Sequence, residues 1–447
     1  MSNFYYNAKT EETIYRYKML NVVRKDKFNF IMPRAMRDNN IDMWIHVMKR
    51  GVPDPFELDF GVYPDYFLSH QDYATVYIVF TDRGGDRIER ALFGTGTSVS
   101  ATAGRSVYDI FGAEGDFAKH VAERNPKHIA VNMSEWLPHL DTLSYTGYFK
   151  LCKMLGDENA KKLVSSEKVL TDFRVRRVQS EIILFAKACA MQRDLMESAY
   201  KNLIPGVTRK EDMSWYGQGW LLDKGIENYY YGINRLPQIM HSCVSDPSKW
   251  NDRDYIYQRG DLIKWDWGID YLNFGTDFKR WAYILREGEE DLPTSVQHAW
   301  DQAVKAREVL RKTIKSGPTA LETLGIVNKA IEDAGFVSTP FANTAEDKEI
   351  IASLGDSEKT GFSIDCHCVG NSGGSQVAVG PSVSPFRKDR AHLKIEPNHL
   401  IAFEFTIHSW IPEWNKRLMI NLEEDALVTE RGVESLYPSQ EKIILIR

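Results

Sequence analysis

The chain has 447 residues, 43% hydrophobic and 26% charged. That is too long for one ordinary core and too evenly mixed for a fibrous or disordered class, so two or more domains are expected. A net charge of −6 gives no electrostatic reason to bind nucleic acid or an anionic membrane. No apolar run approaches the roughly 20 residues needed to cross a bilayer, and MSNFYYNAKTEETIYRYK lacks the apolar stretch of a secretory signal. The five cysteines are sparse and odd in number, which fits a reduced, cytoplasmic setting.

A first domain is expected over residues 1–165, with helix and strand alternating from about residue 28. FNFIMPRAMRDNN predicts a helix leading into the buried strand IDMWIHVM. TVYIVF and RIERALF predict a hairpin around Asp82-Arg83-Gly84-Gly85-Asp86, and KHIAVNMS a further strand. A second domain is expected over 170–447. Its first helix carries Val178, Ile182, Phe185, Cys189 and Met196 on one stripe and stops at Pro205-Gly206. The run KWDWGIDYLNFGTDFKRWAYI then reads as a tight β-hairpin. Thr294–Lys315 predicts another helix, and Thr319 with Glu322 has the spacing of a capping box opening a third, which ends near Gly335.

Asp266 and Asp277 stand eleven residues apart on that hairpin. His367 (CHCVGNS), Glu404 (LIAFEFTIHSW) and Glu423 (LMINLEEDALVT) follow on later strands. Alternation along LIAFEFTIHSW points Ile401, Phe403, Phe405 and Ile407 one way, and Ala402, Glu404, Thr406 and His408 the other. A buried glutamate among apolar neighbours needs a cation. By the same alternation Cys366 and Cys368 face away from His367, which makes them core residues rather than ligands. Taken singly, the aspartates suit a turn, Glu423 and Glu424 a solvated acidic turn, and His367 a core histidine. Taken together, four carboxylates and an imidazole form a pocket for two divalent cations: manganese, cobalt, iron or zinc, with oxygen-rich ligands disfavouring soft copper. Such a centre polarises a carbonyl and activates water, with Glu404 as ligand and proton carrier.

These segments resemble the pita-bread metallopeptidases: methionine aminopeptidase, aminopeptidase P and proline dipeptidase, with creatinase as a metal-free relative. GDLIKWDWG followed by GTDFKR is similar to the family's aspartate pair, with Arg280 in the usual place. CHCVGN resembles the stretch with the metal histidine, and IEPNHLIAFE and INLEEDALVTERGVESL resemble those with the two glutamates. Counting back from Leu427-Val428-Thr429 makes Glu423, not Glu424, the ligand. FIMPRAMRDNNIDMWIHVM resembles the accompanying creatinase-type N-terminal domain. The resemblance implies an α+β chain in which a creatinase-like α/β domain precedes a pita-bread catalytic domain, with metal ligands Asp266, Asp277, His367, Glu404 and Glu423, and usually a homodimer.

One departure stands out. In peptidase members a second histidine follows the metal histidine by seven residues, and here that place holds Gly374. His241 and His408 are the candidates to replace it, and Asp365 is an unexpected acid on the face of His367. Two activities follow from the resemblance. The first is hydrolysis of the bond before proline in a small peptide. The second is a repurposed C–N hydrolase or lyase acting on a small charged metabolite, held against Trp265, Trp267, Trp281 and Tyr229 to Tyr231.

Overall fold

The computed structural model describes residues 8–49, 51–63, 75–94, 107–228, 241–243, 245, 247–249, 252–341, 344–371 and 379–447. The chain forms two units, Met1–Ile182 and Ile183–Arg447.

In the first unit, α1 (Ala8–Asp26) runs through a π-helical turn (Lys27–Ile31) into α2 (Met32–Asp38). Pro33 lies just after the π-helical turn and, having no N–H, donates no hydrogen bond back into it. Next come β1 (Met43–Lys49), α3 (Glu57–Phe60), β2 (Thr75–Thr81), β3 (Glu89–Gly94), β4 (Ile110–Ala113) and α4 (Glu114–Arg124). The unit continues with β5 (Ile129–Val131), α5 (Tyr145–Ala160), β6 (Leu163–Ser165) and α6 (Glu167–Val175). The sheet order is β4-β3-β2-β1-β5-β6. The expected hairpin is β2 with β3, and its turn carries Gly84 and Gly85 at φ +77° and +80°, where a side chain is strained. One sheet face packs Ile45, Tyr77, Val79 and Phe93 against Phe117 of α4. On β1 and β2, Trp44 and Phe80 instead meet Phe28, Phe60 and Phe173. Burial on both faces explains why these strands read as continuous apolar runs. Phe173 also explains why α6 belongs to this unit.

The unit boundary falls within α7 (Gln179–Lys201), whose predicted stripe is buried at all five positions. After α8 (Lys210–Lys224) the chain is mainly strand: β7 (Glu227–Asn228), β8 (His241–Cys243), β9 (Leu262–Trp267), β10 (Ile269–Tyr271), β11 (Phe274–Gly275) and β12 (Phe278–Ile284). Helices α9 (Thr294–Thr313) and α10 (Ala320–Asp333) follow, then β13 (Val337–Ser338), α11 (Ala345–Ala352), β14 (Gly361–Ile364) and β15 (His367–Cys368). The chain ends with β16 (His399–Ile411), β17 (Lys416–Val428), β18 (Val433–Ser435) and β19 (Ile444–Ile446). The predicted capping box opens α10: Thr319 Oγ1 accepts from Glu322 N at 3.3 Å, and Glu322 Oε2 accepts from Thr319 N at 2.8 Å.

Among the described residues three sheets form, ordered β11-β10-β7, β19-β12-β9-β8 and β13-β14-β16-β17-β18, with β15 pairing β16. The long ribbon β16–β17 is the spine of this unit. Ile401, Phe403, Phe405 and Ile407 enter a core with Trp300, Ala303 and Leu310 of α9 and Val327 and Ile331 of α10. Alternation therefore turns Ala402, Glu404, Thr406 and His408 to the opposite face, as the sequence predicts. Among the described residues no helix is long and apolar enough to cross a membrane.

Candidate metal centre

Strand register assembles the site. Glu404 stands directly opposite Glu423 across the ribbon, a like-charged pair that is destabilising unless positive charge lies between its members. His367 on β15 pairs with Ala402, one alternation step from Glu404. On the neighbouring sheet Asp266 stands opposite Lys279, and Asp277 ends the loop entering β12, two residues before Lys279 and therefore on its face.

The imidazole aims into the acids. His367 Nε2 lies 3.9 Å from Asp277 Oδ2, 3.7 Å from Glu404 Oε2 and 3.6 Å from Glu423 Oε1. His367 Nδ1 lies 3.1 Å from its neighbour's carbonyl, Cys368 O, which only accepts, so Nδ1 carries a proton and Nε2 faces the carboxylates. Asp277, His367, Glu404 and Glu423 are all buried, and Asp266 is less so. The structure thus brings four of the five proposed ligands directly together, and Asp266 reaches them through Lys279.

It also brings in two lysines that the sequence analysis did not assign. Lys279 Nζ sits 2.8 Å from Glu404 Oε1, 2.5 Å from Glu423 Oε2 and 3.2 Å from Asp266 Oδ2. Lys264 Nζ adds a contact at 3.4 Å to the same Asp266 oxygen. The signal was available: Lys279 follows Asp277 at the two-residue step of a strand.

The lysines split the acids into two classes. Burial works against ionisation of Asp266 and Glu404, yet Lys279, joined by Lys264 at Asp266 and by His367 at Glu404, holds both carboxyls below their ordinary range. Burial and the charge of Glu423 hold Asp277 well above that range. Burial and the neighbouring Glu404 push Glu423 up to about 7. Burial opposes the charge on His367, but its contacts with Glu423 and Asp277 raise the ring to about 9. Burial likewise opposes the charge on Lys279, and Asp266, Glu404, Glu423 and Asp277 override it.

The two-cation expectation can be tested against this donor set. Two ions with four carboxylate ligands require the oxygens of Asp266, Glu404 and Glu423 that Lys279 already contacts. That set does not fit two ions. One ion does fit: Asp277, His367 and Glu423 each present a ligand atom within 4.8 Å of the others. Asp365, His367 and Glu404 meet the same distance criterion, but both Asp365 oxygens are taken by Arg387 at 2.7 and 2.8 Å.

A supporting layer holds these groups. Asn421 Nδ2 donates to Glu404 Oε1 at 3.1 Å, and Asp277 N donates to Asp425 Oδ2 at 3.0 Å. Glu424 points the other way from Glu423, to Arg280 at 3.0 Å, as alternation requires. Cys366 lies in the core with its thiol on Glu404 O at 3.3 Å, and Cys368 is buried with its thiol on Val379 O at 3.4 Å.

The auxiliary histidines fare differently. His408 shares the Glu404 face but lies four residues along β16, about 13 Å away at the rise of a strand, so it does not join the cluster. His241 lies on β8 opposite Trp265, and its side chain is outside the described residues, as are Gly374 and Tyr229 to Tyr231. Trp265 and Trp267 are buried and stack on each other at 5.5 Å. Trp281 is buried against Trp300. These three tryptophans therefore serve packing rather than a cation-holding wall.

His408 has a consequence for stability instead. Burial, aided by Arg417, lowers its ring to about 4, so the folded protein keeps it neutral where the unfolded chain takes up a proton near pH 6.5. Stability from this group is complete above pH 6.5 and is lost as pH falls toward 4. Between pH 7 and 5 the wild type should lose about 2 kcal/mol more than His408→Gln, read from urea unfolding at both values. Equal pH slopes for the two proteins contradict the assignment.

Comparison with known proteins follows the same lines. The model of "Metallopeptidase family M24" matches residues 184–430. No curated protein matches the chain. Among solved structures, X-Pro aminopeptidase from Thermotoga maritima aligns with a TM-score of 0.58 at 16% identity, over 92% of this chain and 100% of its own. Xaa-Pro dipeptidase from Bacillus anthracis gives 0.56 at 14%, over 96% and 99%. Prolidase from Pyrococcus furiosus gives 0.53 at 17%, over 91% and 99%. At such identities the structural likeness speaks for the fold alone: α+β, with a creatinase-like N-terminal domain before a pita-bread domain. Because the family model spans more than half of the sequence and the acids and histidine converge within it, the chain belongs to metallopeptidase family M24.

Proposed function

We propose that the protein hydrolyses the amide bond before proline in short peptides. The observation that carries this reading is the buried convergence of Asp277, Glu404 and Glu423 on His367 Nε2. Family membership supports hydrolysis, and the names of the three aligned structures suggest the proline-directed substrate. A divalent ion (manganese, cobalt, iron or zinc) held by Asp277, His367 and Glu423 would supply Lewis-acid polarisation of the scissile carbonyl. Glu404 has Oε1 committed to Lys279 and Asn421, while Oε2 turns toward His367. That second oxygen takes the proton of the attacking water and returns it to the leaving amine. The reading includes a homodimer in the cytoplasm, a small peptide or small-molecule substrate, and no role for nucleic acid or membrane.

A second reading, a C–N hydrolase or lyase for a small charged metabolite, is favoured by Lys279 among the acids, a fixed cation that the two-ion scheme does not anticipate. One assay separates the two. Protein loaded in turn with each of the four metals is given a panel of Xaa-Pro dipeptides and short peptides, and released amino acid is quantified. Release from at least one substrate is expected. No release from any, with metal bound, passes the case to the second reading, and so does failure of Gly374→His to raise activity.

A further inference from the structure

We infer that Lys279 stands in the place of one of two cations, so that the centre takes a single divalent ion, beside Asp277, His367 and Glu423. The inference rests on the metal-centre half of the proposed function and not on its substrate.

The ammonium occupies the meeting point of three carboxylates. It lies 2.8 Å from Glu404 Oε1, closer still to Glu423 Oε2, and 3.2 Å from Asp266 Oδ2, within ion-pair reach of all three. A dication coordinates the same oxygens at about 2.0–2.2 Å, so ion and ammonium exclude one another at that point. The lysine has nowhere else to go. Its side chain is 3% exposed, and the β9–β12 register fixes its backbone opposite Asp266. Withdrawing Nζ would leave a buried charge without partners.

The charge balance points the same way. Four carboxylates (Asp266, Asp277, Glu404 and Glu423) are matched by Lys264, Lys279 and one dication. Two dications together with both lysines would overfill the same pocket with positive charge. The other nearby acids do not alter this count, because Asp365 is paired with Arg387 and Glu424 with Arg280. The free donors also lie on one side: Glu423 gives Oε2 to Lys279 and keeps Oε1 toward His367, next to Asp277. Lys279 is thus a positioning residue, a covalently tethered cation that orients Glu404 and Glu423 around the single ion.

The test is metal stoichiometry of the full chain, stripped with chelator and dialysed against Mn²⁺, counted by elemental analysis. Wild type should bind one equivalent, and Lys279→Ala, which frees Glu404 and Glu423 of the ammonium and leaves Asp266 only its longer contact with Lys264, should bind two. Electron paramagnetic resonance on wild type alone gives a second readout should the variant fail to fold, with an isolated Mn²⁺ spectrum expected. Two equivalents or a spin-coupled pair in wild type overturns the inference. So does no binding at all, or a Lys279→Ala protein that still binds one. Substrate turnover is a separate matter. One ion with no Xaa-Pro cleavage removes the peptidase assignment and keeps Lys279 in this role, whereas two ions with cleavage does the reverse.

Discussion

Glu423→Gln should abolish hydrolysis while leaving the metal-free protein at least as stable as wild type. Glu423 serves two partners at once, with Oε2 on Lys279 and Oε1 toward His367. Glutamine keeps the volume but removes the charge that both partners use. Loss of one ligand charge together with the mispositioning of Glu404 opposite it should lower kcat by about 10³-fold or more, and bound metal should fall with it. Stability should move the other way. Without an ion, burial already drives this carboxyl up to about 7, so a neutral side chain relieves a cost of burying charge. Activity and metal content set beside urea unfolding of the metal-free protein make the test. A variant within tenfold of wild-type kcat, with its metal retained, rejects the site.

Arg280→Met should be the most damaging substitution for the fold. The guanidinium is 1% exposed and makes hydrogen bonds to Lys279 O at 2.7 Å and Glu424 Oε2 at 3.0 Å. It also lies over the rings of Phe278 and Tyr437, at 4.5 and 5.6 Å. Removing it strands Glu424 as an unpaired buried charge, a change that typically costs about 3–5 kcal/mol. Adding Glu424→Leu in the same protein should recover a good part of that loss, because the stranded charge goes with it. Unfolding midpoints of the wild type, both single variants and the double variant decide the matter. A single Arg280→Met loss under about 1 kcal/mol shows that the pair contributes little.

Much of this centre was legible in the sequence because strand alternation is a rigid rule. Glu404 against the Ile401–Ile407 face, the opposite facing of Glu423 and Glu424, and Cys366 and Cys368 turned away from His367 into the core all follow from a two-residue period. The same rule has a blind side. It gives the face of His408 but not its position along the strand, and four residues of rise remove it from the cluster. Lys279 was within reach of the rule, two residues from Asp277, yet a lysine in a strand of candidate ligands carries no ligand signal. Only the register that sets it opposite Asp266 shows where the ammonium ends up. The partner of Asp365 depends on a loop that returns Arg387 from twenty-two residues away, and no local pattern encodes that. In the first unit the apolar strands and the glycine turn were readable, whereas the assignment of α6 depended on which aromatic cluster Phe173 would join.

The ion-pair network around Lys279 joins residues separated by 125 and 144 positions in the chain. Loops that long close slowly, since their entropy must be lost before the contacts reward it. Any form in which β12 has not packed beside the β16–β17 ribbon keeps Lys279 away from Glu404 and Glu423 and so lacks the assembled centre.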